Sequence, residues 1–180
     1  MRVRDHILLT SAGAALAAPR LGRAAVDLWA GGALLDVDHY LWFLVHRRDT
    51  SLRAAVHFFD GAHPTQSSAS RVLHHPVLVV SVLALAARRR QLRPLAAGII
   101  FHTGLDAQHD ARMNRARAAA LERDRFSCQT CGARTPQLDT HLFRQPWVLP
   151  SYRSSNLISL CGPCHEMAHH VSPQAVSQWS

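Results

Sequence analysis

The chain has 180 residues, enough for one domain or two small ones, and its 48% hydrophobic content supports a buried core. No uninterrupted run of eighteen apolar residues is present, so the sequence contains no clear transmembrane span. The formal net charge is +8, and all twenty basic residues are arginine, which favours a nucleic acid or an anionic lipid as partner unless codon bias alone explains the arginines.

The first twenty residues, "MRVRDHILLTSAGAALAAPR", allow two interpretations. Basic residues, an apolar run and an Ala-x-Ala-like ending are typical of a signal peptide. Export would place the four cysteines in an oxidising compartment, which does not suit the reduced thiols expected below. We therefore expect a first helix here, and a membrane-embedded position for it stays open.

Three further apolar runs predict helices at 26–45, 76–87 and 94–105. The segment 60–71 contains Gly, Pro and Ser together and predicts an exposed loop. The basic stretch 88–93, "RRRQLR", separates two of the helices and fits a cytoplasmic loop if the runs meet a membrane. We expect these helices to pack as an apolar bundle.

Imidazole and carboxylate side chains recur inside or beside these apolar helices. A charged group in an apolar bundle is costly unless it is paired or binds a metal. His102 and Asp106 are four residues apart and share one helix face. We predict a divalent metal site, zinc or similar, whose ligands are Asp38, His75, His102 and Asp106 and whose near neighbours are His6, Asp36 and His39.

This part resembles the membrane-bound metal-dependent hydrolases. The resemblance depends on the early histidine, on "GALLDVDH", on "HHP" and on "FHTGLD", and it covers about 100 residues. The chain lacks the proline of the usual Gly-x-x-x-Pro-Asp-x-Asp-His stretch and has "HHP" where the family has a "THS" type stretch. The resemblance implies a metal-dependent hydrolase at a membrane.

The second part of the chain contains all four cysteines, as two Cys-x-x-Cys pairs between 128 and 164. Paired spacing of this kind is typical of a tetrahedral zinc site with four thiolate ligands. We predict that Cys128, Cys131, Cys161 and Cys164 bind one structural Zn²⁺. The segment 110–125 is rich in Ala and Arg and predicts a helix that connects the two parts.

Around the cysteines the sequence predicts two strands and a helix, in "PQLDTHLF", "SSNLISLC" and the segment that begins "CHEMAHH". Together with "LERDRFSCQTCG", these pieces resemble the HNH endonucleases of the ββα-metal fold, in the subgroup with a four-cysteine zinc. The resemblance covers about residues 121–170. It implies a second divalent cation (Mg²⁺, Mn²⁺ or Zn²⁺) and cleavage of phosphodiester bonds.

The resemblance also implies roles for single residues. His165 matches the metal ligand on the helix, and His169, four residues later, is a candidate second ligand. Asn156 matches the asparagine that orients the catalytic histidine. The family usually has two adjacent polar residues on the first strand, a ligand followed by a base, whereas this chain has only His141. If His141 is the base, Thr140 replaces a ligand; if His141 is the ligand, which the alignment favours, Leu142 replaces the base.

The sequence therefore predicts a mainly α protein in two modules. Residues 1–110 form a helical, metal-dependent-hydrolase-like domain with a possible membrane contact, and residues 111–180 form an HNH-like zinc module. The expected function is metal-dependent endonuclease cleavage of DNA or RNA. The alternative is a membrane-associated metal hydrolase whose zinc module only binds nucleic acid. The expected location is the cytoplasm or the cytoplasmic face of the inner membrane.

Overall fold

A computed structural model of the protein describes residues 2–60, 71–143 and 151–170, except the side chains of His57, Asp60, His169 and His170. These ranges are mainly helical, as the sequence predicts. The α-helices are α1 (Val3–Leu21), α2 (Ala24–Ala33), α3 (Val37–Arg47), α4 (Leu52–Asp60), α5 (Pro76–Arg88), α6 (Arg93–Arg123) and α7 (Gly162–His170). The strands are β1 (Leu138–Leu142) and β2 (Leu157–Cys161), and short 3-10 helices span Arg90–Leu92 and Ser154–Asn156.

The chain divides into two compact units, Met1–Ala107 and Gln108–Ser180, here called unit 1 and unit 2. The boundary lies close to the one expected at residue 110, but it falls inside α6. The sequence predicts separate helices at 94–105 and 110–125, whereas the structure contains one helix of 31 residues. The physical reason is that no proline follows Pro94 in this stretch, and Ala and Arg are strong helix formers.

The predicted helix at 26–45 is broken into α2 and α3. Helix α2 ends at Ala33, and Asp36 is the N-cap residue of α3. The break turns Asp36 and Asp38 toward the interior, where both are buried. The interruption of the apolar run is therefore the feature that brings two carboxylates into unit 1.

Helices α2 and α6 cross at a distance that only glycine allows. A Cβ atom at Gly31 would lie 2.1 Å from the Leu95 carbonyl oxygen, and one at Gly98 would lie 2.1 Å from the Leu28 carbonyl oxygen. Real Cβ contacts do not come this close, so the backbones would have to move apart. The crossing places the carbonyl of Gly32 beside α6.

Helix α1 belongs to the packed structure of unit 1. Asp5, His6, Thr10 and Ala14 are buried on one of its faces. Among the residues described, no helix combines the length and apolar character needed to cross a membrane. Helix α5 is apolar but has 13 residues, and of these only Ala86 is buried.

Unit 2 is built on an antiparallel pair of strands. Leu138 pairs with Cys161, His141 with Ile158 and Leu142 with Leu157. One small core contains apolar side chains and three of the cysteines, namely Cys128, Ile158, Leu160, Cys161, Cys164 and Ala168. A second core joins β2 to the end of α6 through Met113, Ala116, Ala120 and Leu157.

A buried carboxylate fastens α6 to β2. Asp124 accepts hydrogen bonds from the Ser159 amide at 3.0 Å and from the Arg123 guanidinium at 2.7 Å. Arg123 in turn donates to the backbone oxygens of Leu157 and Ser154. Burial opposes ionisation of Asp124, but the Arg123 and Ser159 hydrogen bonds hold its pKa below the usual range. The Arg123–Asp124 pair therefore positions β2 against the helix.

We expect Gly98→Ala to destabilise unit 1 by at least about 2 kcal/mol, because the added methyl group overlaps the α2 backbone. Urea unfolding of the full chain measures this change. Gly104→Ala is the matched control, since a Cβ at Gly104 of the same helix meets nothing within 4 Å. The control should stabilise the helix by up to about 1 kcal/mol. Equal effects of the two substitutions would contradict the close crossing.

Candidate metal centres

The four cysteines of unit 2 come together from two turns. Cys128 begins a turn in which its carbonyl accepts from the Gly132 amide, and Gly132 has a left-handed φ of 73°. Glycine adopts this conformation without strain, so the chain can turn back and the Ala133 carbonyl can accept from the Cys128 amide at 2.9 Å. Cys161 ends β2, and Cys164 lies in the first turn of α7.

The spacing of the thiols suits one zinc ion. Their Sγ atoms all lie within 4.8 Å of one another, and those of Cys131 and Cys161 are 3.6 Å apart. In a tetrahedral site with Zn–S bonds of about 2.3 Å, the sulfurs are separated by about 3.8 Å. The four residues therefore fit the structural zinc that the sequence predicts.

The ionisation of the thiols depends on the same packing. Burial opposes it at Cys128, but backbone N–H groups of Cys131 and Cys161 lower the pKa of this thiol to about 6. Burial and the neighbouring thiols raise the pKa of Cys164 to about 12. Like charges confined to this space oppose one another, so a divalent cation is needed to hold all four as thiolates.

Three polar side chains converge beside the zinc-type cluster. His165 Nδ1 on α7 lies 3.4 Å from Asp139 Oδ2 on β1. The rings of His141 and His165 have centroids 5.3 Å apart. Asp139 and His141 are two residues apart on the strand, so their side chains leave it on the same side. That side faces α7, and it combines one carboxylate with two imidazoles.

Leu142 belongs to the interior of unit 2. Its side chain packs against the core of Met113, Ala116, Ala120 and Leu157. Thr140 is also buried, with 3% of its surface exposed. Neither residue faces α7 as Asp139 and His141 do.

The other two residues of the predicted nuclease site are only partly located. Asn156 ends the 3-10 helix before β2, and its carbonyl accepts from the Phe143 amide, one residue past β1. It therefore lies at the end of the strand pair that carries His141. The side chain of His169 lies outside the described part of the chain.

Unit 1 contains a second cluster, assembled from four separate segments. Helix α1 supplies His6, the start of α3 supplies Asp36, Asp38 and His39, and α6 supplies His102 and Asp106. The turn before α5 supplies His74. The structure brings together all the residues that the sequence predicts here except His75.

Two imidazoles face each other at the centre of this cluster. His74 Nε2 and His102 Nε2 are 3.0 Å apart. Asp36 Oδ1 lies 3.4 Å from the first nitrogen and 3.5 Å from the second. Asp106 Oδ2 lies 3.7 Å from each. Donor atoms around a tetrahedral zinc with bonds of about 2.0–2.2 Å are separated by about 3.4 Å. The spacing of each carboxylate oxygen from the two nitrogens therefore suits a divalent cation, and His74, His102 and Asp106 form one triad of this kind.

Hydrogen bonds determine which nitrogens face inward. His102 Nδ1 donates to the Gly32 carbonyl at 2.6 Å, and His74 Nδ1 donates to Asp38 Oδ2 at 3.3 Å. In neutral imidazoles both Nε2 atoms then carry lone pairs, which repel each other unless a proton or a metal lies between them. Donation of Nδ1–H to a carbonyl or carboxylate is also the usual support of a metal-ligating histidine.

Surrounding groups hold the cluster in place. Asp38 accepts from His39 Nδ1 as well as from the Leu73 amide. His6 Nε2 donates to Asp106 Oδ1 at 3.0 Å. The Oδ2 atom of Asp36 is buried and has no hydrogen-bond partner in the described ranges. A bound cation would satisfy this oxygen, which is a further reason that the residues present fit a metal.

The electrostatics of the cluster favour a positive charge at its centre. Burial opposes ionisation of Asp36, but hydrogen bonds from His102 and His74 hold its pKa well below the usual range. The pKa of Asp106 is likewise low, because the His6 hydrogen bond outweighs burial. Burial would lower the pKa of His74, but Asp36 and Asp38 raise it to about 9. Without a metal, a proton on His74 supplies the charge.

His75, which the sequence predicts as a metal ligand, lies outside the cluster. It is the N-cap residue of α5, and its ring accepts from the Val77 amide at 3.3 Å on the exposed surface. His74 takes its place in the cluster. The signal was present in the sequence, since a residue before proline is extended and a proline commonly begins a helix. Pro76 therefore marks His75 as a capping residue.

No protein-family model matches the chain, no curated protein is detectably similar to it, and no solved structure matches its fold.

Cys128→Ser should release one zinc ion per chain and unfold residues 121–170. Structural zinc contributes about 10 kcal/mol or more to the folding of small zinc modules, and the cores of unit 2 are small. Elemental analysis and thermal unfolding of the full chain measure both effects. Thr130→Ala, an exposed change between Cys128 and Cys131, is the control. Unchanged zinc content and melting in Cys128→Ser would exclude the four-thiolate site.

Proposed function

We propose that unit 2 is an HNH-type, metal-dependent endonuclease module that cleaves phosphodiester bonds in DNA or RNA. The observation that carries the proposal is the approach of Asp139, His141 and His165 to one another next to the four thiols. Two strands and a helix in this order, with four cysteines placed to bind zinc, agree with the resemblance stated for residues 121–170.

Asp139 is a candidate for the second polar residue that the resemblance requires on β1. The resemblance calls for a ligand and a base on β1, and His141 can be only one of them. Because Asp139 lies 3.4 Å from His165, these two side chains can hold one divalent cation together. His141 is then available as the base, and Leu142 stays in the core. This assignment replaces the ligand role that sequence alignment alone favours for His141.

The proposed chemistry follows from these positions. The divalent cation, when bound by Asp139 and His165, would stabilise negative charge on the scissile phosphate and the leaving oxygen. His141 accepts a proton from the attacking water. Asn156, at the end of the strand pair, orients His141. Arginines of unit 2 supply phosphate contacts that position the nucleic acid.

The test is nicking of supercoiled plasmid by the full chain with Mg²⁺, Mn²⁺, Zn²⁺ or Ni²⁺. Asp139→Asn, His141→Ala and His165→Ala should each lower the rate at least about 100-fold. His141→Ala should keep the second metal, whereas Asp139→Asn and His165→Ala should lose it. Glu166→Gln, an exposed neighbour on α7, is the matched control and should cut normally.

A chain that nicks neither DNA nor RNA with any of these metals would exclude the endonuclease. If that chain still binds duplex with an affinity that falls as salt rises, unit 2 is a zinc-stapled nucleic-acid binder.

A second function is proposed for unit 1, that of a metal-dependent hydrolase. The specific observation is the pair of imidazole nitrogens at 3.0 Å, with one oxygen of Asp36 and one of Asp106 each within 3.7 Å of both nitrogens. His74, His102, Asp36 and Asp106 would hold the cation, and Asp38, His6 and the Gly32 carbonyl would orient these ligands. The cation would supply a water of lowered pKa as nucleophile.

His102→Ala and His74→Ala should each lower the metal content of the full chain by one divalent ion. Elemental analysis after desalting measures this loss. His75→Asn is the control, because it keeps a capping side chain outside the cluster and should leave the content unchanged. If the two cluster variants retain the wild-type content while folded, the cluster is a hydrogen-bonded polar core and not a metal centre.

A further inference from the structure

Arg71 reaches the buried cluster of unit 1 from the protein surface. Its side chain is 38% exposed, yet its Nη2 group donates to Asp106 Oδ2 at 3.2 Å. Asp106 has the most exposed side chain of the four candidate ligands, at 11%, compared with 8% for His74, 7% for Asp36 and 0% for His102. The cluster therefore approaches solvent on the side where Arg71 lies.

Arg71 has hydrogen-bonding capacity that the fold leaves unused. Its Nε group is buried and has no partner in the described ranges. A buried donor without an acceptor is unfavourable, and a guanidinium presents its N–H groups as a planar fork that matches two oxygens of one anion. An oxyanion bound next to Asp106 would accept from Nε and complete this geometry.

Arg71 places a positive group on the solvent side of the cluster. With a divalent cation bound, the cation and Arg71 carry three positive charges against the three negative charges of Asp36, Asp38 and Asp106, so the centre has no net negative charge to repel an anion. The carbonyl oxygen of a neutral ester can also accept from Arg71 Nε. A phosphoryl group forms the stronger, charge-assisted hydrogen bonds, because it offers two charged oxygens to the planar fork of the guanidinium.

We propose that Arg71 binds the phosphoryl oxygens of the substrate, so that unit 1 hydrolyses phosphate esters. The proposal deepens the hydrolase function proposed for unit 1 and rests on it. Arg71 is a substrate-binding residue in this assignment, while the ligands of the cation stay His74, His102, Asp36 and Asp106.

The test uses the full chain with the His165→Ala change, so that unit 2 contributes no hydrolysis. With zinc or manganese bound, 4-nitrophenyl phosphate and 4-nitrophenyl acetate are compared in the presence and absence of Arg71→Gln. We expect KM for the phosphate ester to rise at least about tenfold, because a charge-assisted hydrogen-bond pair is lost. The values for the acetate and the metal content should not change. Arg20→Gln, an exposed arginine on α1, is the control.

Calorimetry with inorganic phosphate separates this proposal from the hydrolase function. If the metal-loaded chain hydrolyses neither ester, the hydrolase function fails, but phosphate binding that weakens at least about tenfold in Arg71→Gln still supports the anion site. If Arg71→Gln lowers metal content, or changes both esters equally, Arg71 only pairs with Asp106 and the proposal is wrong. Equal phosphate affinity in wild type and Arg71→Gln would also overturn it.

Discussion

The hydrogen bond from His102 Nδ1 to the Gly32 carbonyl determines the chemistry of unit 1. A carbonyl can only accept, so Nδ1 must carry the proton and Nε2 must face the cluster. The bond exists because α2 and α6 cross at Gly31 and Gly98, where larger residues would separate the backbones. The close packing of α2 and α6 therefore also fixes the orientation of the His102 ring, which is a candidate ligand. The same constraint brings the Nε2 atoms of His74 and His102 face to face.

Unit 2 has few buried apolar side chains and is organised by polar contacts and by its four cysteines. Its two cores are small, and one of them consists partly of cysteine. The Arg123–Asp124 pair and the four thiols hold the strands where larger domains would use hydrophobic burial. With so small a core, one face of β1 remains for polar residues, and Asp139 and His141 lie there.

Much of this arrangement could be predicted from the sequence, because it depends on local signals. Cysteine spacing predicts the thiol cluster, and alternation predicts β1. The second short strand, expected in "SSNLISLC", also lies near its observed bounds. The separation of four residues between His102 and Asp106 predicts their common face. The break between α2 and α3 and the union of two predicted helices in α6 were not predicted. The break depends on tertiary packing, and the continuity of α6 depends on the absence of a proline after Pro94. The periodicity of apolar residues reports neither.

The site residues that were not predicted also divide into those with a local signal in the sequence and those that depend on tertiary packing. His74 could have been chosen over His75, since Pro76 marks the capping position. Asp139 could be placed on the side of His141 by strand alternation, but its approach to His165 depends on where α7 packs. Arg71 could not be identified, because its contact with Asp106 joins residues 35 positions apart. Long-range pairs of this kind leave no trace in a single sequence.

The continuity of α6 determines how the protein can be divided. A fragment that ended at residue 110 would place a helix C-terminus one turn after Asp106. The last carbonyl groups of a helix carry a partial negative charge, which opposes a buried carboxylate nearby. In the intact chain the helix continues beyond residue 110 to Arg123, so no helix end lies next to Asp106. The helical residues that follow Asp106 therefore keep the end of α6 away from a candidate ligand, and a cut within this helix would change the electrostatics of the centre.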